Sequence, residues 1–370
     1  MSQEKGLVKN FSPAWFAAIM GTGGFANVLY LWGSIWAPSR ILGISLAWLN
    51  ALLFILFFIP WLLRWFSYFE NVKKDLLHPM MGNFFVTMPI GLMILASNAT
   101  LMGKNFLSPS FLFFFSLLAW LIGIFGALIF GTLASYNMMR SEQTPPQMIN
   151  FAWLISPVAS IAVPLIGNPL TTMLHTMNAS WAKTALLINL SFFGIGFFLF
   201  LFIGAIIFTR LAQHPLPPNA MAPTFWIILG PIGVGTVSLM GLADAAKLLG
   251  ILQNVDTLYL LANVIWGLGL WGISIVLLIS HHYLKHGGIP FSLSWWAFIF
   301  PLAAYTMASF KLGIYYQSNL VIGYTVLLTA FLSVLWLFSF LRTLGGSLNG
   351  KLFQPQPQPQ PMPNPKTTNN

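Results

Sequence analysis

The stretch SWWAFIFPLAAYTMASFK, Ser294 to Lys311, is apolar enough to lie in lipid, yet it carries a proline in its middle and a lysine at its end. Proline lacks the backbone N–H that a helix needs and leaves a carbonyl without its donor. In hydrocarbon such a break is tolerated only where neighbouring protein or a water-filled cavity satisfies the freed backbone. The break recurs along the chain. Pro89 in NFFVTMPIG, Pro157 in NFAWLISPVAS and Pro231 in TFWIILGPIGVG precede Pro301 at a nearly constant spacing. In the first apolar run, AWFAAIMGTGG, Gly21 takes the pivot position one such spacing before Pro89.

Two features keep the same register. Two positions after each pivot comes a small side chain or none: Gly23, Gly91, Ala159, Gly233 and Ala303. Five or six positions before it stands at least one aromatic, in order Trp15 with Phe16, Phe84, Phe151, Phe225 with Trp226, and Trp295 with Trp296. Between these runs lie greasier ones without such marks, for example FLFFFSLLAWLIGIFGALIF and LSFFGIGFFLFLFIGAIIF. The chain therefore reads as five tandem helical hairpins of roughly 70 residues. Every hairpin enters the membrane from the same side, so the repeats are related by an axis along the membrane normal. The expected fold is an all-α integral membrane protein of ten transmembrane helices. Five kinked helices form an inner ring around a central pore, and five apolar ones face lipid.

Composition agrees. Of 370 residues 57% are apolar and 6% charged, against about 25% charged in a soluble domain. Ten segments reach the roughly 20 residues needed to cross the bilayer, near 13–33, 41–63, 80–100, 110–134, 148–168, 184–209, 222–246, 257–280, 293–316 and 320–341. The first is long and followed by others, so it reads as a retained span and not a cleaved signal. Eleven of the 16 Lys and Arg fall on the side of both termini. The other side holds Arg40, Lys104, Lys183, Lys247 and Lys311. This bias predicts a multi-pass protein of the cell membrane with cytoplasmic N- and C-termini. The predicted divisions are a cytoplasmic start, 1–12, a transmembrane domain, 13–342, and a disordered cytoplasmic tail, 343–370, in which QPQPQPQPMPNP favours extended polyproline II.

Several chemistries are excluded. There is no cysteine, hence no disulfide and no thiol chemistry. Basic residues are scattered one to three per loop, which argues against a nucleic-acid partner. None of the six acidic residues, Asp244 included, falls at a predicted midplane, which disfavours a carboxylate proton relay and a cation path. His281, His282 and His286 in SHHYLKH suggest a membrane enzyme or sensor, but they fall at a span end without a nearby carboxylate and read as interfacial. No metal site and no cofactor is expected, and the chain does not read as an enzyme.

The pore reading names residues. Positions −5, −1, +2 and +6 from each pivot share one helical face. On the ninth span they are Trp296, Phe300, Ala303 and Met307. At the −1 position of the other four spans stand Met20, Met88, Ser156 and Gly230. The small side chains that follow the pivot keep the lumen open, and Phe300 closes it. Thr22, Thr87, Ser156, Ser160, Thr236 and Thr306 are candidate lining hydroxyls, and Lys311 and Lys247 candidate attractors for anions at the outer mouth. The expected partners are small anions and the lipid bilayer.

The same stretches resemble the tellurite-resistance/dicarboxylate transporter family over nearly the whole chain, Phe11 to Arg342. WWAFIFP at 295–301 and WFAAIMGTG at 15–23 carry the likeness most specifically. That family includes bacterial tellurite-resistance proteins, fungal malate permeases and sulfite pumps, and plant slow-type anion channels. The resemblance implies five hairpins around a pore, a homotrimer of separately conducting protomers, and a gating phenylalanine at the position of Phe300. It leaves open a gated anion channel, a proton-linked malate or other C4-dicarboxylate carrier and a sulfite exporter.

Overall fold

The computed structural model describes residues 2–140 and 144–353. Ten helices are long and apolar enough to span a membrane. They are α1 (Pro13–Trp32), α2 (Ala37–Ser67), α3 (Met81–Asn105), α4 (Pro109–Arg140), α5 (Phe151–Met177), α6 (Ala179–Gln213), α7 (Asn219–Leu248), α8 (Asp256–Lys285), α9 (Leu293–Tyr315) and α10 (Asn319–Leu348). The protein is a multi-pass, all-α membrane protein, as its sequence predicts.

The division into inner and outer helices follows the hairpins. In the odd helices 72–94% of the apolar window is buried, in the even ones 17–39%. α1 packs on α3, α3 on α5, α5 on α7 and α7 on α9, and α9 returns to α1, so the odd helices close a ring. Each even helix packs on the odd helix before it. The even helices turn large apolar side chains outward, among them Phe114, Phe125, Phe202 and Leu327. In water these would be a liability; in hydrocarbon they are at home.

Each inner helix has two windings. It begins as a 3₁₀ segment (Pro13–Trp15, Met81–Val86, Phe151–Leu154, Asn219–Ile228, Leu293–Trp295) and continues as an α-helix. Pro89, Pro157 and Pro231 each occupy the third position of the α-helical part, which starts at Thr87, Ile155 and Leu229. The first turn is where a missing N–H costs least. The proline therefore marks a change of winding, early in α3 and α5 and close to the middle of α7, where the sequence suggested a mid-span kink throughout. Pro301 and Gly21 lie one turn deeper, at the sixth position of Trp296–Tyr315 and Phe16–Trp32. Three of the 3₁₀ entries are capped by side chains. Ser12 Oγ accepts from Ala14 N at 3.2 Å, Asn150 Oδ1 from Ala152 N at 2.9 Å and Ser292 Oγ from Ser294 N at 3.3 Å.

Indole donors tie the two rings together. Trp336 Nε1 donates to Thr22 Oγ1 (3.1 Å), Trp32 to Thr329 (2.8 Å), Trp226 to Ser280 (2.9 Å), Trp266 to Ser309 (2.8 Å) and Trp296 to Thr343 (3.0 Å). A polar group without water must find a partner, and each such bond within a membrane contributes about 0.6 kcal/mol. Close helix approach needs glycine at a few points. A β-carbon on Gly233 would fall 2.3 Å from the Tyr305 backbone nitrogen, so α7 and α9 touch backbone to backbone there.

The turn at 351–353 packs on the segment leading into α1. Asn10 Nδ2 donates to Phe353 O at 3.1 Å, and the Phe353 ring stacks on Trp15 with centroids 5.2 Å apart. The last helix runs to Leu348, and residues 351–353 form a further turn against α1. The packed part of the chain thus extends beyond the boundary expected at 342. The Gln/Pro stretch, from 354 onward, lies outside the described residues.

Candidate functional site

All five inner helices line two cavities inside the ring. The wide one has a volume of about 440 Å³ and the narrow one about 50 Å³. Among the described residues, Phe300 is the one side chain that lines both. The narrow cavity lies toward the end of α1 that carries the termini, the wide one toward Lys311.

The wide cavity carries the repeat in its wall. Gly24, Ile94, Leu165, Val234 and Ala304 line it, one from each inner helix. Their spacing is more even than that of the prolines and keeps to the hairpin length throughout. Farther from Phe300 the wall gains polar atoms from Asn27, Ser97, Thr100 and Thr172, and two lysines, Lys104 and Lys311. Among the described residues no Asp or Glu lines either cavity. Thr100 and Thr172 donate their hydroxyls to Ser97 O (3.1 Å) and Asn168 O (3.3 Å). The donors the wall offers are therefore the Asn27 amide and the Ser97 hydroxyl, beside the positive charge of the lysines, which suits an anion. Asp244 lies off the wall, with Tyr259 donating to its carboxylate at 2.9 and 3.1 Å.

The residues named from sequence divide. Phe300, Ala303, Met307 and Lys311 line the wide cavity, and Met20, Gly230, Phe300 and Pro301 the narrow one. Gly23, Gly91 and Gly233 pack against neighbouring helices instead: a β-carbon on Gly23 would meet Asn50 and Ile94, one on Gly91 Ile19, and one on Gly233 the α9 backbone. Met88 and Ala159 are buried away from both cavities. Ser156 donates to Asn83 Oδ1 at 2.8 Å. Pro89 packs on Gly126 of α4, the Pro157 carbonyl faces Gly196 of α6, and Gly21 faces Trp296 and Ile299. Lys247 is exposed and off the wall. Of the candidate hydroxyls, Thr87 lines the narrow cavity. Thr22, Thr236 and Thr306 are engaged with Trp336, Ile232 O and Leu302 O, and Ser160 is buried off the wall.

The reason is a rotation of the lining face. On α1, α7 and α9 the wall side chains sit at −4, −1, +3 and +6 from the pivot (17, 20, 24, 27; 227, 230, 234, 237; 297, 300, 304, 307). That face is turned by about half the ~100° step between successive helical positions from the one the small side chains suggested. The small +2 positions mostly serve helix packing, the commoner use of glycine in membranes. On α3 and α5 the proline sits two and five positions earlier relative to the wall layer, so aligning on proline misplaced those helices. Asn27 and Lys104 went unnamed as wall residues; a polar residue inside an apolar span, as in GFANVLY, is the signal that marks Asn27.

His281, His282 and His286 lie exposed at the end of α8, with the rings of His282 and His286 stacked 4.3 Å apart. Among the described residues no three His, Asp or Glu side chains gather as a metal site.

Comparison with known proteins agrees with the geometry. An uncharacterised transporter of Methanocaldococcus jannaschii is 32% identical over 350 residues, 94% of this chain and 96% of its own. A sulfite efflux pump of Trichophyton rubrum is 26% identical over 360 residues, 94% of this chain and 93% of its own. A malic acid transport protein of Schizosaccharomyces pombe is 20% identical over 326 residues, 83% of this chain and 71% of its own. The model of the voltage-dependent anion channel family matches residues 10–344. Ten spans, an inner ring closed on itself and a match over almost the whole membrane domain make this chain a member of that family of anion channels and transporters.

Proposed function

We propose that the protein passes small anions along the axis of its inner ring and that Phe300 closes the path. One observation carries this reading: the two cavities share Phe300, with donors and two lysines on one side of it and a narrow, mainly apolar space on the other. An apolar ring in a tight passage blocks ions by excluding their water. The Ser97 hydroxyl and the Asn27 amide can replace part of an anion's hydration, and Lys104 and Lys311 in the same wall raise its local concentration. The Lys/Arg bias supports an orientation with the wide cavity toward the outside of the cell and both termini in the cytoplasm.

The relatives supply candidate cargo, sulfite and malate. The wide cavity, about 440 Å³, has room for a C4-dicarboxylate as well as for chloride or sulfite. A proton-linked carrier is the second reading. A singly protonated acid brings its own proton and needs no carboxylate in the wall. Three protomers together, each with its own path, complete the assembly we infer from the family resemblance.

The test is purified protein in liposomes, with reversal potentials measured across chloride, nitrate, sulfite and malate. Currents that follow the anion gradients and do not saturate support the channel. Saturable malate uptake that rises at acid pH supports the carrier. Passage of none of them rejects both.

A further inference from the structure

The wall amide of Asn27 belongs to a chain of three buried asparagines. Asn98 Nδ2 donates to Gly23 O at 2.9 Å and to Asn27 Oδ1 at 2.8 Å, and Asn98 Oδ1 accepts from Asn50 Nδ2 at 3.1 Å. All three side chains are nearly excluded from solvent. A backbone carbonyl only accepts, so Gly23 O fixes which end of the Asn98 amide points toward it. That orientation in turn presents N–H to Asn27, whose oxygen is thereby occupied. The Asn27 Nδ2 is turned to the other side, toward Ser97 Oγ at 3.5 Å, a weak contact at the limit of hydrogen bonding. Asn27 and Ser97 both line the wide cavity. Asn50 comes from outer helix α2 and Asn98 from α3, so two neighbouring elements are devoted to the orientation of one side chain of α1.

We propose that Asn27 donates its amide N–H to the passing anion and that Asn98 is the positioning residue that keeps this donor aimed into the cavity. The pair then acts as a selectivity element: a fixed donor compensates most for the lost water of a strongly hydrated anion and least for a weakly hydrated one. This inference rests on the reading of the wide cavity as an anion path. Asn98 acts only through Asn27.

The experiment compares chloride with nitrate in liposomes by reversal potential. Asn27→Leu lowers the chloride-to-nitrate permeability ratio by up to about tenfold, which corresponds to a difference of about 1.4 kcal/mol between what the amide contributes for chloride and for nitrate. Asn98→Ala, which frees the Asn27 amide to turn, shifts the ratio in the same direction. The double variant shifts it no further than Asn27→Leu alone, because the two act as a unit. Asn27→Asp keeps the acceptor that Asn98 needs, so it folds, and it suppresses both anion currents. An unaltered ratio in Asn27→Leu, or full additivity in the double variant, overturns the inference alone. A wild-type protein that passes neither anion overturns the pore reading and this inference with it.

Discussion

The Phe300 ring of α9 faces Gly24 of the neighbouring helix α1: a β-carbon on that glycine would stand 3.7 Å from Phe300 Cδ2 and 3.1 Å from Ala303 Cβ. The site where α1 passes the aromatic ring therefore has room for no more than a methyl group. Gly24→Ala is expected to fold and to reduce anion flux, and Gly24→Val to abolish it while the protein still elutes as a single species. Liposome flux together with size-exclusion profiles checks this. Undiminished flux in Gly24→Val would place the path elsewhere.

Gly233 provides the contrast. Its missing β-carbon would overlap the Tyr305 backbone, and Gly233 lines neither cavity. Gly233→Ala is expected to lower stability by about 1–3 kcal/mol, the usual cost of overpacking. The readout is the midpoint of thermal unfolding in detergent. Anion selectivity of the surviving folded protein should stay as in the wild type.

The lysines act at longer range. Lys104→Gln combined with Lys311→Gln is expected to reduce anion flux several-fold at low ionic strength. The difference should shrink near 1 M salt, where the screening length is about 3 Å. A loss that persists at high salt would mean that these side chains bind the anion directly.

The turn leading into α3 should respond to acid. His78 Nδ1 accepts from the backbone N–H groups of Met80 and Met81, both at 3.2 Å. Burial pushes the imidazole below its ordinary value of 6.5, opposed by Asp75 and reinforced by Lys74. The folded state thus binds this proton more weakly than the unfolded one. The stabilisation is complete above the unfolded value and is lost as pH falls through the lowered folded value. Melting curves below pH 6.5 should show this loss, and His78→Asn, which keeps an acceptor and does not titrate, should remove it.

The architecture was legible because lipid imposes it. Ten apolar runs, the charge bias of the loops and prolines that recur once per hairpin are direct consequences of burying a backbone without water. Phe300 was legible for a related reason: it follows from the face that holds −1 and +6 on α9, and the same two offsets place Met20 and Asn27 on the wall of α1. What the pattern hid was rotation. Gly23 and Gly24 are both small and adjacent, and only the packing of Asn50 and Ile94 against the first shows that the second faces the axis. Pro89 and Pro157 recur with the others, yet they lie out of step with the wall because they pack on Gly126 and near Gly196 of the outer helices. Of the candidate hydroxyls Thr87 lines a cavity, and others are held inside the helices. In an apolar span a threonine such as Thr236 or Thr306 bonds the carbonyl one turn back and needs no cavity.

The central claim is that Phe300 stands between the two cavities as the closure of one path. Chloride flux through liposomes containing Phe300→Ala, compared with wild type at equal protein density, tests it most directly. Lowering the barrier by about 1.4 kcal/mol alone raises flux about tenfold, so the account predicts an increase of at least that order. Flux equal to or below the wild-type level, in protein that is folded and inserted, would contradict it.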